Sequence, residues 1–243
     1  MRRRVVSLVP SLTEAVAVSA PGLLVGVTDW CTHPGDLGAA ERIGGTKNPD
    51  VGRIAELRPD LVIANEEENR APDLDALRAA GVEVLVTEVR DLPQALHELD
   101  RVLVGALGLT RPGWLADAEA AWGRAEPVGD LRAVVPVWRR PWMVLGRDTF
   151  GGDLLGRLGV RNVFAGHAER YPRMAAAELA AVAGAECDLV VLPDEPYRFT
   201  AEDGPEAFPG APAALVSGRH LTWYGPSLTE AAGVLAAAVR SAG

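Results

Sequence analysis

The chain alternates between short, continuous apolar runs and segments with helical spacing. Mainly apolar stretches occupy residues 5–9, 24–27, 61–64 and 82–87; Pro10 follows the first stretch and Gly81 precedes the last. Such runs are typical of strands that are buried on both faces of a parallel sheet. Because a helical segment separates each pair of runs, the first 90 residues are predicted to form a parallel sheet with crossover helices.

The chain start has two interpretations. Four residues, Met1 to Arg4, bring three arginines directly before an apolar stretch, as in a signal peptide. However, Pro10 interrupts that stretch, and Ser11 and Glu14 have the spacing of a helix capping box. We therefore predict a strand, a turn and a helix that is capped by Ser11 and runs to about Ala20. On this interpretation the chain carries no export signal and is cytoplasmic as written. If a signal has been removed, it is extracytoplasmic and membrane-associated.

A helical stretch from residue 92 to about 125 interrupts the alternation. Its apolar residues recur at helical spacing, and the segment 108–113 begins and ends with glycine. One long kinked helix and a pair of helices are both compatible with this pattern.

The second half repeats features of the first. Residues 142–145 lead through a Gly-rich turn into a helix, as residues 5–9 do, and the stretch 187–192 matches 59–64. We therefore predict two like α/β lobes, 1–90 and 127–243, joined by a helical linker, 91–126. Ligands of open α/β sheets bind beyond the carboxyl ends of the strands, so a cleft between the lobes is expected to be lined by the strand-to-helix loops.

Composition excludes several classes of protein. A net charge of −9 argues against nucleic acid as a partner, because phosphate binding needs clustered Lys and Arg. No run of about 18 apolar residues is present, so no membrane span is predicted. Two cysteines, Cys31 and Cys187, are too few for a disulfide framework. The sequence also lacks Gly-x-Ser-x-Gly, Gly-x-Gly-x-x-Gly and His-Glu-x-x-His motifs, so we expect no enzyme activity.

Two loops in the first half of the chain contain residue types that commonly bind ligands or metal ions. Trp30, Cys31 and His33 follow the second predicted strand. A flat indole beside metal-ligating side chains suits a ligand platform, whereas the alternative is a packed Trp, a buried thiol and a surface His. Lys47 follows two glycines before a helix, where it either pairs with a ligand carboxylate or phosphate or is an exposed lysine in a tight turn.

Seven of the 13 aromatic residues fall at or near loops of the second half. Aromatic side chains that face a cleft suit a large flat ligand with polar edges, although some of them are expected only to cover loop backbone. These residues are Trp142, Phe150, Tyr171, Tyr197, Phe199, Trp223 and Tyr224.

Ordered motifs along nearly the whole chain resemble the cobalamin- and siderophore-type substrate-binding proteins of ABC importers. Each motif is weak alone, and the resemblance depends on their shared order. The motifs are VVSLVPSLTE (5–14), GVTDWCTHP (26–34), IGGTKNP (43–49), LRPDLV (57–62), DTFGGDLL (148–155), NVF (162–164), YP (171–172) and LTWYGP (221–226).

The resemblance implies an α/β fold of class III, with two Rossmann-like lobes, parallel sheets and a long connecting helix. It implies a ligand between the lobes, no intrinsic cofactor, and a corrinoid as the first choice before haem, a ferric siderophore or another metal chelate. The ligand-binding candidates are Pro10, Ser11, Trp30, Cys31, His33, Lys47, Trp142, Phe150, Tyr171, Tyr197, Trp223 and Tyr224.

Partners follow from the same resemblance. In such importers an acidic residue of each lobe docks on the permease, and the candidates are Glu66, Glu67, Glu68, Asp194 and Glu195. A monomer is expected, and His33 or Cys31 is a candidate axial ligand of a bound metal chelate. Two alternatives stay open, a cytosolic corrinoid-binding protein without a transporter and an enzyme built on this scaffold.

Overall fold

The computed structural model describes residues 3–242 and divides them into two compact units. Unit 1 contains residues 3–89, Pro93–Ala116 and Tyr224–Pro226. Unit 2 contains Arg90–Leu92, Asp117–Trp223 and residues 227–242. The boundary at 116/117 falls within the predicted linker, 91–126. Met1 and Arg2 of the basic start lie outside the described residues.

Unit 1 is built on a five-stranded parallel sheet with the order β3-β2-β1-β6-β7. Its strands, together with the small antiparallel hairpin β4–β5, are β1 Val5–Ser7, β2 Leu24–Val27, β3 Glu41–Arg42, β4 Gly44–Gly45, β5 Asn48–Pro49, β6 Leu61–Asn65 and β7 Val84–Thr87. Its helices are α1 Pro10–Ser19, α2 Val51–Glu56 and α3 Ala71–Ala79. All five residues of β6 are buried, which explains its continuous apolar run.

Helix α1 begins two residues earlier than predicted. Pro10 is its first residue, Val9 occupies the N-cap position, and no side chain caps the helix. The predicted Ser11 capping box is therefore wrong, because Pro10 already has the backbone angle that a first helical turn requires. In α2, by contrast, the Asp50 side chain accepts a hydrogen bond from the backbone N–H of Arg53 at 2.9 Å.

The helical stretch after β7 forms a pair of helices. Helix α4 spans Leu92–Asp100 and continues as a π-helical segment, Arg101–Ala106. Gly108 then adopts a φ of 66°, which ends the helix, and α5 follows at Gly113–Gly123. Of the two alternatives from the sequence, the helical pair is the one observed.

Unit 2 contains a four-stranded parallel sheet, β11-β8-β13-β14, and a three-stranded antiparallel sheet, β12-β10-β9. The strands are β8 Leu131–Val134, β9 Pro136–Arg139, β10 Trp142–Val144, β11 Val160–Asn162, β12 Arg173–Met174, β13 Leu189–Pro193 and β14 Ala213–Val216. The helices are α6 Phe150–Arg157, α7 Ala176–Glu186, α8 Gly218–Thr222 and α9 Leu228–Arg240.

Both parallel sheets share one strand order, which confirms the internal repeat with one correction. The strand order β11-β8-β13-β14 in unit 2 corresponds to the order β2-β1-β6-β7 in unit 1. The predicted match of residues 59–64 with 187–192 is therefore confirmed, because these stretches contribute β6 and β13, which occupy equivalent places in the two sheets. The match of 5–9 with 142–145 is wrong. β8 occupies the place of β1, and residues 142–144 form the centre of the antiparallel sheet because they fold back on β9 as a hairpin.

Among the helices formed by residues 3–242, none combines the length and the apolar character needed to cross a membrane.

Candidate functional site

Trp30 lies exposed on the loop that leaves the carboxyl end of β2. Its side chain is 65% exposed, the highest value among the large apolar residues described. The loop under it is fixed by Arg42, whose guanidinium donates hydrogen bonds to the carbonyls of Thr28 (2.6 Å) and Cys31 (2.9 Å). A fixed loop that presents an exposed indole is preorganised for stacking, because little freedom is left to lose on binding.

Cys31 points in the opposite direction from Trp30. Its side chain is fully buried, and its Sγ lies 3.0 Å from Thr13 Oγ1 and 3.2 Å from Thr28 Oγ1. Burial raises the pKa of this thiol, which keeps it protonated. Cys31 is thus placed to pack α1 against the loop, and its predicted ligand role receives no support from this position.

His33 lies on the exposed side of the same loop, where its Nδ1 is 3.1 Å from Thr32 Oγ1. Within residues 3–242, His, Cys, Asp and Glu side chains form no cluster of three or more that could hold a metal ion. A metal chelate already contains its metal ion when it binds. Coordination of that ion by His33, as a single axial ligand from the protein, stays a prediction.

The β4–β5 hairpin and the turn after β6 are tied together beside Trp30. Lys47, at the hairpin tip, donates to the carbonyl of Glu67, and Asn69 Nδ2 donates to the carbonyl of Thr46 at 3.0 Å. A Cβ built on Gly45 would approach Trp30 Nε1 to 3.5 Å, so the hairpin passes close to the indole. Lys47 is therefore engaged with protein backbone in this structure.

An asparagine pair orders the acidic turn. Asn69 Oδ1 accepts from the backbone N–H of Asn65 (2.8 Å), and Asn65 Oδ1 accepts from that of Glu67 (2.9 Å). Asn65 Nδ2 also donates to Thr87 Oγ1 at 3.2 Å. Sequence reasoning missed both asparagines, although an Asn at the end of a buried strand is a signal for such side chain–backbone turns.

Glu68 is the most perturbed carboxyl group of this turn. Burial raises its pKa to about 7, and the neighbouring Glu67 charge adds to the rise while the Lys47 charge opposes it. The same Glu68 charge, after burial itself, raises the pKa of Tyr224. The Tyr224 hydroxyl lies 3.5 Å from Thr87 Oγ1, and Ser11 also lies beside it. Ser11, Glu68 and Tyr224 are thus brought together in unit 1.

In unit 2, Trp223 is paired with a predicted docking residue. Its indole Nε1 donates to Glu195 Oε2 at 3.0 Å. The preceding residue, Asp194, accepts a hydrogen bond from the backbone N–H of Gly218 at 2.5 Å. Gly218 must be glycine here, because a Cβ would approach Glu195 backbone nitrogen to 2.5 Å. Trp223, Asp194 and Glu195 therefore form one local group between β13 and α8.

Two of the predicted aromatic ligands lie within the core of unit 2. Trp142 is 8% exposed and stacks on Phe199 with 5.9 Å between ring centroids, while Phe150 is 6% exposed at the start of α6. Period-2 alternation places Trp142 on the inner face of β10. Trp223 and Tyr224 are as little exposed, at 7% and 4%, so burial alone does not separate ligand contacts from packing residues among these four aromatic side chains.

Tyr197 is half-buried, and its hydroxyl donates to Asp203 Oδ2 at 2.6 Å. Its ring meets Trp138 edge-on, with centroids 5.7 Å apart. Trp138 was not among the predicted site residues, yet it is 41% exposed. Tyr171 is half-buried in the loop before β12.

The comparisons with known proteins agree with this fold. A scan against family profiles finds no match. The vitamin B12-binding protein of Pectobacterium carotovorum is 22% identical over 182 residues, which cover 71% of this chain and 65% of the relative. That of Yersinia pestis is 32% identical over 100 residues, or 41% of this chain and 36% of the relative. The matched regions thus span less than two thirds of these relatives.

Solved structures match over almost the whole chain. The periplasmic heme-binding protein RhuT from Roseiflexus has a TM-score of 0.80 at 23% identity, covering 100% of this chain and 99% of its own. The vitamin B12-binding protein BtuF of Vibrio cholerae has a TM-score of 0.74 at 18%, with coverages of 99% and 97%. A periplasmic heme-binding protein from Pseudomonas aeruginosa has a TM-score of 0.73 at 26%, with 98% and 92%.

The two α/β units and these likenesses define a class III substrate-binding fold. The relatives and structural neighbours agree with the resemblance to cobalamin- and siderophore-type substrate-binding proteins that the sequence motifs carry.

Proposed function

We propose that the chain is the ligand-binding component of an ABC importer, that it works outside the cytoplasm, and that its ligand is a corrinoid of the cobalamin type. The observation that carries the proposal is Trp30, an exposed indole that Arg42 fixes at the carboxyl edge of the unit 1 sheet. This is the edge where open α/β sheets bind ligands. Relatives named vitamin B12-binding protein and the periplasmic binding proteins among the structural neighbours support the proposal.

Further contacts are proposed from both units. In unit 1 they come from the Pro10–Ser11 turn, Tyr224 and His33, and in unit 2 from Trp223 and Tyr171. Lys47 is proposed to supply a polar contact after it exchanges its bond to the Glu67 carbonyl for one to the ligand. Binding then combines aromatic stacking with a few polar anchors, and no bond of the ligand is changed.

Haem is the second candidate ligand. Its support is that several structural neighbours, including the two with TM-scores of 0.80, are heme-binding proteins. Both a corrinoid and haem have a broad ring system on which Trp30 stacks, so stacking on this indole does not distinguish between the two ligands.

Docking on a permease is proposed to use the exposed acidic groups, Glu66 in unit 1 and Asp194 in unit 2. Glu67, Glu68 and Glu195 are less exposed and make the local interactions described above. Exposed charges chiefly steer association, so their neutralisation should slow docking more than it weakens ligand binding.

The experiment that tests the proposal is calorimetric titration of the purified chain with cyanocobalamin, haemin and a ferric siderophore. We expect one saturable site for cyanocobalamin with the greatest affinity of the three. Saturable binding of haemin alone would replace the corrinoid by the second candidate, and no binding of any of them would refute the proposed class of ligand.

A further inference from the structure

The antiparallel sheet of unit 2 has one face that is aromatic and cationic. In its register Trp138 is paired with Met143, and Met143 with Arg173, so these three residues lie side by side across β9, β10 and β12. Trp138 is 41% exposed, Met143 is half-buried and Arg173 is exposed. Neighbouring residues along a strand point to opposite faces, so Arg139 and Trp142 lie on the other face, where Trp142 joins the core.

Trp138 is held in place although it is exposed. Its Nε1 donates to the carbonyl of Arg140 at 3.3 Å, and the Tyr197 ring meets it edge-on at an interplanar angle of 79°. Tyr197 is itself fixed by its hydrogen bond to Asp203. The indole is therefore preorganised, which is the property that separates a binding platform from a mobile surface side chain.

The arginines of this region differ in their partners. Arg139 forms ion pairs with Asp203 and Glu206 and lies 5.4 Å from the centroid of the Trp142 ring. Arg140 and Arg173 are exposed, and neither forms an ion pair with any of residues 3–242. In a chain of net charge −9, two unneutralised guanidinium groups thus flank one exposed indole.

The position of this face suits ligand binding. β9 follows β8 after a single residue and extends beyond the carboxyl edge of the parallel sheet, and the Tyr197 loop leaves the carboxyl end of β13. Ligands of open α/β sheets bind beyond this edge.

We infer that the Trp138–Arg173 face is a ligand subsite for a planar ligand with an anionic group on its rim. Trp138 stacks on the ring, and Arg173, assisted by Arg140, pairs with a carboxylate or a phosphodiester. Trp138 and Arg173 stand two strand spacings apart, roughly 10 Å, so only a large ligand touches both. The inference rests on the proposed function and adds to it the chemical group that unit 2 recognises.

Two ligand pairs test the inference, because each pair differs in the anion. Haemin carries carboxylates that its dimethyl ester lacks, and cyanocobalamin carries a phosphodiester that dicyanocobinamide lacks. Affinities are measured for the wild type and for R173Q, R140Q and W138A. R161Q is the matched control, because it removes the same charge from an arginine of unit 2 that already pairs with Asp130 at 2.9 Å. Thermal unfolding of each variant verifies that the fold is kept.

We expect R173Q to weaken binding of the ligand that carries the anionic group about tenfold and to leave binding of the ligand that lacks this group unchanged. R140Q should have a smaller effect of the same kind, W138A should weaken both members, and R161Q neither. If the wild type binds a tetrapyrrole but R173Q affects both members equally or not at all, this inference fails and the proposed function stands. If the wild type binds none of the four, both fail.

Discussion

The indole of Trp223 and the carboxylate of Glu195 are joined by a hydrogen bond of 3.0 Å from Nε1 to Oε2. Trp223 is a proposed ligand contact and Glu195 a predicted docking residue. Their bond means that the carboxylate helps to orient the indole, because the indole N–H lies in the ring plane and a hydrogen bond from it restricts how the ring can turn.

Substitution of Glu195 should therefore affect ligand binding through Trp223. Glu195→Ala removes the acceptor, and we expect affinity for the ligand to fall by roughly fivefold, as for the loss of one hydrogen bond of about 1 kcal/mol. Glu195→Gln keeps an acceptor oxygen and should bind nearly as the wild type does. Titration of both variants checks this, and equal losses in Ala and Gln would show that charge matters rather than the orientation of Trp223.

Much of the fold could be predicted because apolar runs of buried strands are strong local signals. β2 has the predicted bounds, and the second copy of the β6 pattern is β13. The antiparallel hairpin β9–β10 could not be predicted, since Trp142–Val144 is as apolar as a strand of a parallel sheet and strand direction depends on partners that are distant in sequence.

The site was harder to predict than the fold, because residue type does not determine exposure. Trp30 and Trp142 follow or lie in strands and look alike in the sequence, yet one is 65% exposed and the other 8%. Trp138 was missed for the same reason, although it lies four residues before Trp142 on the neighbouring strand. What separates them is the face of the hairpin on which each lies, and this depends on the register.

Glu68 should make the stability of the chain depend on pH. Its folded pKa is about 7 against an ordinary 4.5, so the folded chain binds more protons than the unfolded chain between these values. The free energy of unfolding is then predicted to fall as pH rises from about 4.5 to about 7, by at most about 3.5 kcal/mol. Glu68→Gln should remove this fall. Urea unfolding at several pH values measures it.

The matched control is Glu66→Gln, which changes an exposed carboxyl group of the same turn. It should leave the pH profile as in the wild type. An unchanged profile in Glu68→Gln would contradict the position assigned to this carboxyl group.

Cys31 and His33 should behave differently when a metal chelate is bound. Cys31→Ala is expected to lower the free energy of unfolding by about 1–2 kcal/mol, because it removes a buried side chain and its contacts with two threonine hydroxyls. It should leave the absorption spectrum of the bound ligand unchanged. His33→Ala is expected to shift that spectrum with little effect on stability, since the residue is exposed. A spectrum that is identical in wild type and His33→Ala would exclude axial ligation.

Trp30 is the side chain on which the account chiefly depends. Trp30→Ala should weaken ligand binding about tenfold or more, because aromatic stacking contributes about 1 kcal/mol beyond the apolar area that it buries. Trp114→Phe is the matched control, since Trp114 lies in the same unit and donates its indole hydrogen bond to Ser19, away from the β2 loop.

The most direct measurement is quenching of tryptophan fluorescence as cyanocobalamin is titrated into the wild type, Trp30→Ala and Trp114→Phe. We predict saturable quenching at one ligand per chain in the wild type and in Trp114→Phe, and a curve displaced to at least tenfold higher concentration in Trp30→Ala. Equal curves for the wild type and Trp30→Ala, or no saturation in any of the three, would contradict the account.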